Sequence, residues 1–180
     1  CNIASVCNAL KYVGADVDLV SDCDAIKNYS HVVLPGVGSF PRGMENLETR
    51  KFVDPLRRAV EAGKPLIGFC LGMQLLAEVG VEHRLTSGLG FFADKIVKMS
   101  QIHSGIRLPH VGWNSVEVMN DSALLRGIPN LTDFYFVHSF AYSSSDANYV
   151  KGVVKYGLKY PAVIERENLF GVQFHPEKSQ

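Results

Sequence analysis

Apolar positions alternate with polar ones in two distinct rhythms along this chain. Asn2–Val13 places Ile3, Val6, Leu10 and Val13 at helical spacing, with Gly14 as the stop. Asp16–Val20 (DVDLV) alternates as a short strand, and His31–Leu34 (HVVL) is an apolar strand stopped by Pro35-Gly36-Val37-Gly38. Phe40–Ala62 reads as mostly helical, amphipathic through Phe52, Val53, Leu56 and Val60, with a break near Pro55. Leu66, Ile67 and Phe69 form a buried strand, and Leu71, Met73, Leu75 and Leu76 start a helix predicted to run to about Gly80. Strand–helix alternation of this kind predicts a parallel sheet with helices on both faces.

The second half changes to strand rhythm. Lys95–Met99, Ser115–Met119, Phe134–Phe140 and Tyr149–Tyr156 are predicted strands, and Ala162–Arg166 with Leu169–Phe174 a hairpin about Glu167-Asn168. Polar loops, Ser143-Ser144-Ser145 among them, join these strands. No repeat or long linker divides the chain. The expectation is one α/β domain over residues 1–180: an open, mostly parallel central sheet with helices on both faces plus a smaller antiparallel portion.

Composition narrows the function classes. The 180 residues are 47% hydrophobic and 20% charged with zero formal net charge, an ordinary globular balance that offers no field for nucleic acid or an anionic membrane. Cys1, Cys7, Cys23 and Cys70 are irregularly spaced, with no Cys-x-x-Cys pair and no secretory signal, so a disulfide framework or zinc site is not expected and a reducing, cytoplasmic setting is. Gly36-Val37-Gly38 is no dinucleotide fingerprint, and no cofactor or metal is expected.

The chemistry concentrates in Lys64–Gln74 (KPLIGFCLGMQ). Gly68-Phe69-Cys70-Leu71-Gly72 is a thiol version of the nucleophile elbow, a cramped strand-to-helix turn that needs small residues either side of an outward-pushed nucleophile. Alone, it reads more readily as a buried cysteine on an ordinary strand–helix connection. A catalytic thiol needs a base, and the base an orienter. His31, His83 and His103 lack any pattern and are expected at the surface or at strand ends. His175 ends an apolar strand, and Glu177, two residues on past Pro176, faces the same way in extended chain. The candidate triad is Cys70, His175 and Glu177, with His138 as the rival base. Oxyanion donors are the backbone N–H of Leu71 and the turn around Val37.

Several ordered stretches together resemble the class I glutamine amidotransferases: Pro35-Gly36-Val37-Gly38, Gly68–Gln74 and Gly171–Glu177. Pro109–Asn114, Tyr135–Ser139, the tail Pro176–Gln180 and the helix start Asn2–Val6 are similar, within them, to the family of glutaminase subunits of imidazole glycerol phosphate synthases. The resemblance implies that Cys70 attacks the side-chain amide of L-glutamine. The ammonia would then pass to a (β/α)₈ cyclase subunit of imidazole glycerol phosphate synthase, the partner in a heterodimer serving histidine biosynthesis. It further implies that Gly38, Leu71, Gln74, Glu82, Ser139 and Phe140 hold glutamine, and that Asn2, Ser5, Trp113, Asn114, Tyr135 and Lys178 face the cyclase. A first strand ahead of Asn2 and a helix after the Pro-Glu-Lys-Ser segment belong to the family pattern, so trimming at both ends is expected. Another class I amidotransferase, or a catalytically silent subunit on the same fold, are the competing readings.

Overall fold

A computed structural model describes residues 2–102, 105–144 and 147–178. Cys1, His103, Ser145 and the tail Ser179-Gln180 lie outside the described residues.

The first half builds two parallel strands of the main sheet with helices between them. Helix α1 (Ile3–Tyr12) starts where the Asn2 side chain accepts a hydrogen bond from Ala4 N–H, and ends at Gly14 with φ +90°. Strand β1 is Val32–Gly36, preceded by a 3₁₀ turn at Cys23–Asn28. Helices α2 (Phe40–Thr49) and α3 (Val53–Glu61) follow, then β2 (Leu66–Cys70) and a short α4 (Leu71–Leu75). Next come β3 (Ala77–Gly80), β4 (Thr86–Ser87), β5 (Phe92–Lys98) and α5 (Met99–Ile102). The remaining strands are β6 (His110–Val118), β7 (Thr132–His138), β8 (Phe140–Tyr142), β9 (Val150–Tyr156), β10 (Leu158–Arg166) and β11 (Leu169–Val172). A 3₁₀ turn at Pro176–Lys178 completes the described chain.

The main sheet runs β1-β2-β11-β10-β9-β6-β7, and a second sheet runs β4-β3-β5-β8. Pairing is parallel across β1-β2-β11 and antiparallel from β11 to β7, so the sheet is mixed and the nucleophile strand sits in its parallel block. Alternate side chains feed two cores. Leu66 and Leu169 join Phe40, Met44 and Leu56 of the helices on one face, while Phe69 and Val172 join Val6, Phe136 and Phe174 on the other.

Four local expectations are corrected. The helical break falls at Lys51, with φ 58°, rather than at Pro55. Pro55 occupies the first turn of α3, where no N–H is required of it. Helix α4 stops at Leu75 because Ala77–Gly80 pairs with β4 and β5, and non-local pairing overrides the helical run of leucines. The segment read as Phe134–Phe140 is split at Ser139, its last residue belonging to β8 in the other sheet.

Asp16–Val20 is not a strand. A strand needs a neighbour, and Val17 and Leu19 instead line an apolar groove of about 1180 Å³ with Ile3, Val6, Val32 and Leu34, along the outer edge of β1. The groove lies away from the chemistry of Cys70, which is not among its lining residues. His31 is solvent-exposed immediately before β1, as expected of it, and Trp113 is 49% exposed rather than a core residue.

Candidate active site

Glycine makes the elbow possible. A Cβ at Gly68 would stand 2.5 Å from the backbone of Gly72 and Met73, and one at Gly72 only 1.8 Å from the carbonyl oxygen of Leu34. The chain can therefore double back tightly from β2 into α4. Cys70, at the corner, takes φ 53° and ψ −110°, a conformation costly for a residue with a Cβ. Gly36 is the register partner of Cys70, which sets the Pro35-Gly36-Val37-Gly38 turn beside the nucleophile. Gly38 takes φ +99°, and Val37 is 61% exposed. The five-residue α4 is shorter than its sequence pattern suggests, so its contribution at Cys70 is mainly the local backbone N–H of Leu71.

Burial pushes the Cys70 thiol up to about 11, with the Leu71 N–H pulling back and the Glu177 charge adding to the rise. The resting group is a neutral thiol that requires a base. His175 is buried, 1% exposed, and its Nδ1 lies 3.0 Å from Glu177 Oε1. A carboxylate accepts, so Nδ1 donates its proton there and Nε2 is the basic nitrogen. Burial lowers the His175 pKa, partly offset by the Glu177 hydrogen bond, which keeps the imidazole neutral and able to accept a proton at neutral pH. Its backbone N–H bonds Tyr135 O at 2.9 Å, tying the end of β11 to β7.

The rival base is differently employed. His138 Nδ1 lies 2.9 Å from Phe140 O and its Nε2 lies 3.1 Å from His110 Nδ1, so both nitrogens are committed. Burial drives its pKa down to about 3 and that of His110 to about 4, leaving both rings neutral. His175, not His138, has the carboxylate partner expected of a catalytic base.

The other predicted residues gather around the elbow. Gln74 donates from Nε2 to Phe140 O at 2.9 Å and to Gln173 Oε1 at 3.0 Å. Ser139 O accepts from Met99 N–H. Glu82 Oε2 accepts from Phe40 N–H at 2.7 Å, capping α2 from outside the helix, and Oε1 stands 3.8 Å from His83. Glu82 thereby sits on the turn that follows Gly38. Sequence reasoning missed Gln173, which is fully buried with Nε2 3.9 Å from Cys70 Sγ, and His110, stacked on Tyr156. Period-two alternation places Gln173 on the face of His175, and that signal was available.

A surface adjoins the site. Trp113 meets Tyr135 edge-on at 5.8 Å, Lys178 Nζ lies 4.8 Å above the Tyr135 ring, and that ring is 6.4 Å from His175. Helix α1, carrying Asn2 and Ser5, packs against the Pro176–Lys178 turn. Val111 and Val137, a cross-strand pair on β6 and β7, extend the exposed apolar face. Among the described residues no His, Cys, Asp or Glu cluster could hold a metal ion.

Comparison with known proteins gives the family and the fold. The family model "Glutamine amidotransferase class-I" matches residues 2–180. An imidazole glycerol phosphate synthase subunit HisH from Caldanaerobacter subterraneus subsp. tengcongensis is 43% identical, covering 99% of this chain and 86% of its own. The protein of the same name from Streptococcus mutans is 42% identical over 99% of this chain and 87% of its own. Among solved structures, a glutamine amidotransferase crystal structure superposes with a TM-score of 0.75 at 20% identity, covering 98% of this chain and 86% of that one. PurLQS from Thermotoga maritima superposes with 0.74 at 20% identity, covering 97% and 82%; these two speak to fold alone. The chain belongs to the class I glutamine amidotransferase family and, within it, to the imidazole glycerol phosphate synthase HisH subunits.

Proposed function

We propose that the protein hydrolyses the side-chain amide of L-glutamine and delivers the ammonia to a cyclase subunit of imidazole glycerol phosphate synthase, as a cytoplasmic heterodimer in histidine biosynthesis. The observation that carries this reading is a buried imidazole hydrogen-bonded to Glu177, next to a strained cysteine elbow on the neighbouring parallel strand. The His175 Nε2 removes the Cys70 thiol proton as sulfur attacks the amide carbon. The same proton then goes to the departing nitrogen, releasing ammonia and leaving a thioester. His175 next takes a proton from water, which attacks the thioester; glutamate leaves and the thiol is restored. Leu71 N–H and a donor from the turn at Val37 stabilise the oxyanion of both tetrahedral steps.

Glu82 offers Oε1 to the α-ammonium of glutamine. Gly38, Ser139 and Phe140 supply backbone to its other end, and Gln74, whose N–H groups are already donated, contributes its carbonyl oxygen. Trp113, Asn114, Tyr135, Lys178, Asn2 and Ser5 form the cyclase-facing surface, a reading supported by exposed Trp113 edge-on to half-buried Tyr135 and by the adjoining valines. The free thiols Cys7 and Cys23 favour a reducing compartment, and no described helix is long and apolar enough to cross a membrane. The test is glutamate release with and without the liganded cyclase, in wild type and Cys70→Ala. Release that rises with the cyclase and vanishes in the variant is expected; no release under any condition overturns the reading.

A further inference from the structure

Two buried side chains near the nucleophile have their donor and acceptor atoms fully determined by their neighbours. Gln74 Nε2 faces two oxygens, Phe140 O at 2.9 Å and Gln173 Oε1 at 3.0 Å. Only an NH₂ group satisfies both; the flipped amide would press an oxygen against two oxygens. Because Gln173 accepts through Oε1, its NH₂ group must be the end turned to Cys70 Sγ, 3.9 Å away.

The carbonyl at Phe140 is held from its other side by a second chain of determined donors. His138 Nδ1 donates to that oxygen, so its Nε2 accepts from His110 Nδ1–H. His110 Nε2 then accepts from Asn114 Nδ2, at 3.2 Å, whose other hydrogen goes to Lys155 O at 3.0 Å. The Asn114 Oδ1 receives Ser115 N–H, which fixes the orientation of that amide as well. Two neutral histidines, each protonated at Nδ1, therefore buttress the carbonyl that orients Gln74.

We propose that Gln173 is the sulfur-facing donor of the nucleophile, its amide held in that orientation by Gln74 and, through the Phe140 carbonyl, by the His138–His110 pair. The N–H donated to Sγ favours thiolate over thiol in a pocket whose burial otherwise opposes ionisation, and it fixes the direction in which the sulfur lone pair points. This rests on the glutaminase reading for its purpose but not for its test.

The test is the pH dependence of Cys70 alkylation by iodoacetamide, followed by peptide mapping, in the full chain without cyclase or glutamine. Gln173→Leu removes the donor. Gln173→Glu keeps the size and the acceptor for Gln74 while turning a carboxylate oxygen to the sulfur. Both variants should alkylate at neutral pH about tenfold slower or worse, the lower end for a hydrogen bond to a charged group, with the midpoint moved to higher pH and Gln173→Glu moved furthest. In the glutaminase assay with cyclase, kcat should fall with KM nearly unchanged. Nitrogen-15 spectra of the wild type should show His110 and His138 both protonated on Nδ1. Alkylation profiles of both variants overlaying the wild type, or an Nε2-protonated His138, would overturn the proposal. Loss of glutamate release in the wild type would instead fault the glutaminase reading and leave the alkylation result standing.

Discussion

Replacing Gly72 by alanine strikes the elbow without touching any reacting group. The new Cβ would lie 1.8 Å from Leu34 O and 2.8 Å from Leu34 C, both backbone atoms of β1. To restore an ordinary contact, β1 and the elbow must part by more than an ångström. Their ladder, in which Leu34 pairs with Gly68 and Gly36 with Cys70, holds them together. Overpacking of this kind costs about 1–3 kcal/mol, and loosening one or two ladder hydrogen bonds adds about 1 kcal/mol each. A total of about 2–5 kcal/mol should lower the melting temperature by roughly 4–20 °C in a chain of this size without abolishing folding. Displacing Sγ by about an ångström should cost about a hundredfold in kcat. Gly43→Ala is the control. Its Cβ meets Leu75 methyls at 3.0 Å, side-chain ends that can swing aside, and the helix interior gains about 1 kcal/mol from alanine. Differential scanning fluorimetry and cyclase-coupled glutamate release measure both variants. A Gly72→Ala protein with wild-type melting and turnover would refute the claim that backbone approach at Gly72 shapes the nucleophile turn.

Acid should destabilise the protein through the buried histidine pair. Their folded pKa values, about 4 for His110 and about 3 for His138, lie below the unfolded value, so the unfolded chain binds more protons between pH 6.5 and 4. Stability is present above pH 6.5 and falls as pH drops, by up to about 1.4 kcal/mol per unit for each ring; urea midpoints at pH 7.5 and 5 should differ accordingly, and the slope should be shallower in His138→Gln. Val37→Pro removes an N–H from the exposed turn opposite the elbow, and glutamate release should disappear even with liganded cyclase while iodoacetamide still reaches Cys70. Glu177→Gln keeps the hydrogen-bonding shape at His175 Nδ1 but loses the charge, so kcat should fall about 10–100-fold and the pH–rate profile should shift, as pH-dependent glutaminase assays would report.

How far the sequence foretells the molecule depends on the range of the forces involved. The β10–β11 hairpin is legible because alternation flanks Glu167, which takes φ 55° in the turn. The elbow is legible because only glycine survives at Gly68 and Gly72, and spacing alone exposes that. Asp16–Val20 alternates like a strand yet lacks a pairing neighbour, and alternation says nothing of neighbours. Ala77–Gly80 hides behind a leucine run because its partners, Phe92–Lys98 and Thr86–Ser87, lie elsewhere in the chain. At the site, the His175–Glu177 pair follows from local geometry. The choice between His175 and His138 does not: it depends on His110, 28 residues before His138 and brought opposite it by the β6–β7 register. The His-x-Glu spacing and the Phe-Cys-Leu elbow come from short-range sterics, whereas the polar network behind them is assembled by strand pairing.

The most direct measurement is site-resolved labelling by diazo-oxo-norleucine, a glutamine-shaped electrophile, in the complex with liganded cyclase. A single adduct on Cys70, none on Cys7 or Cys23, and labelling at least a hundredfold slower in His175→Asn is the predicted result. Equal labelling with His175 replaced, or an adduct on another thiol, would contradict the account that this imidazole activates this sulfur.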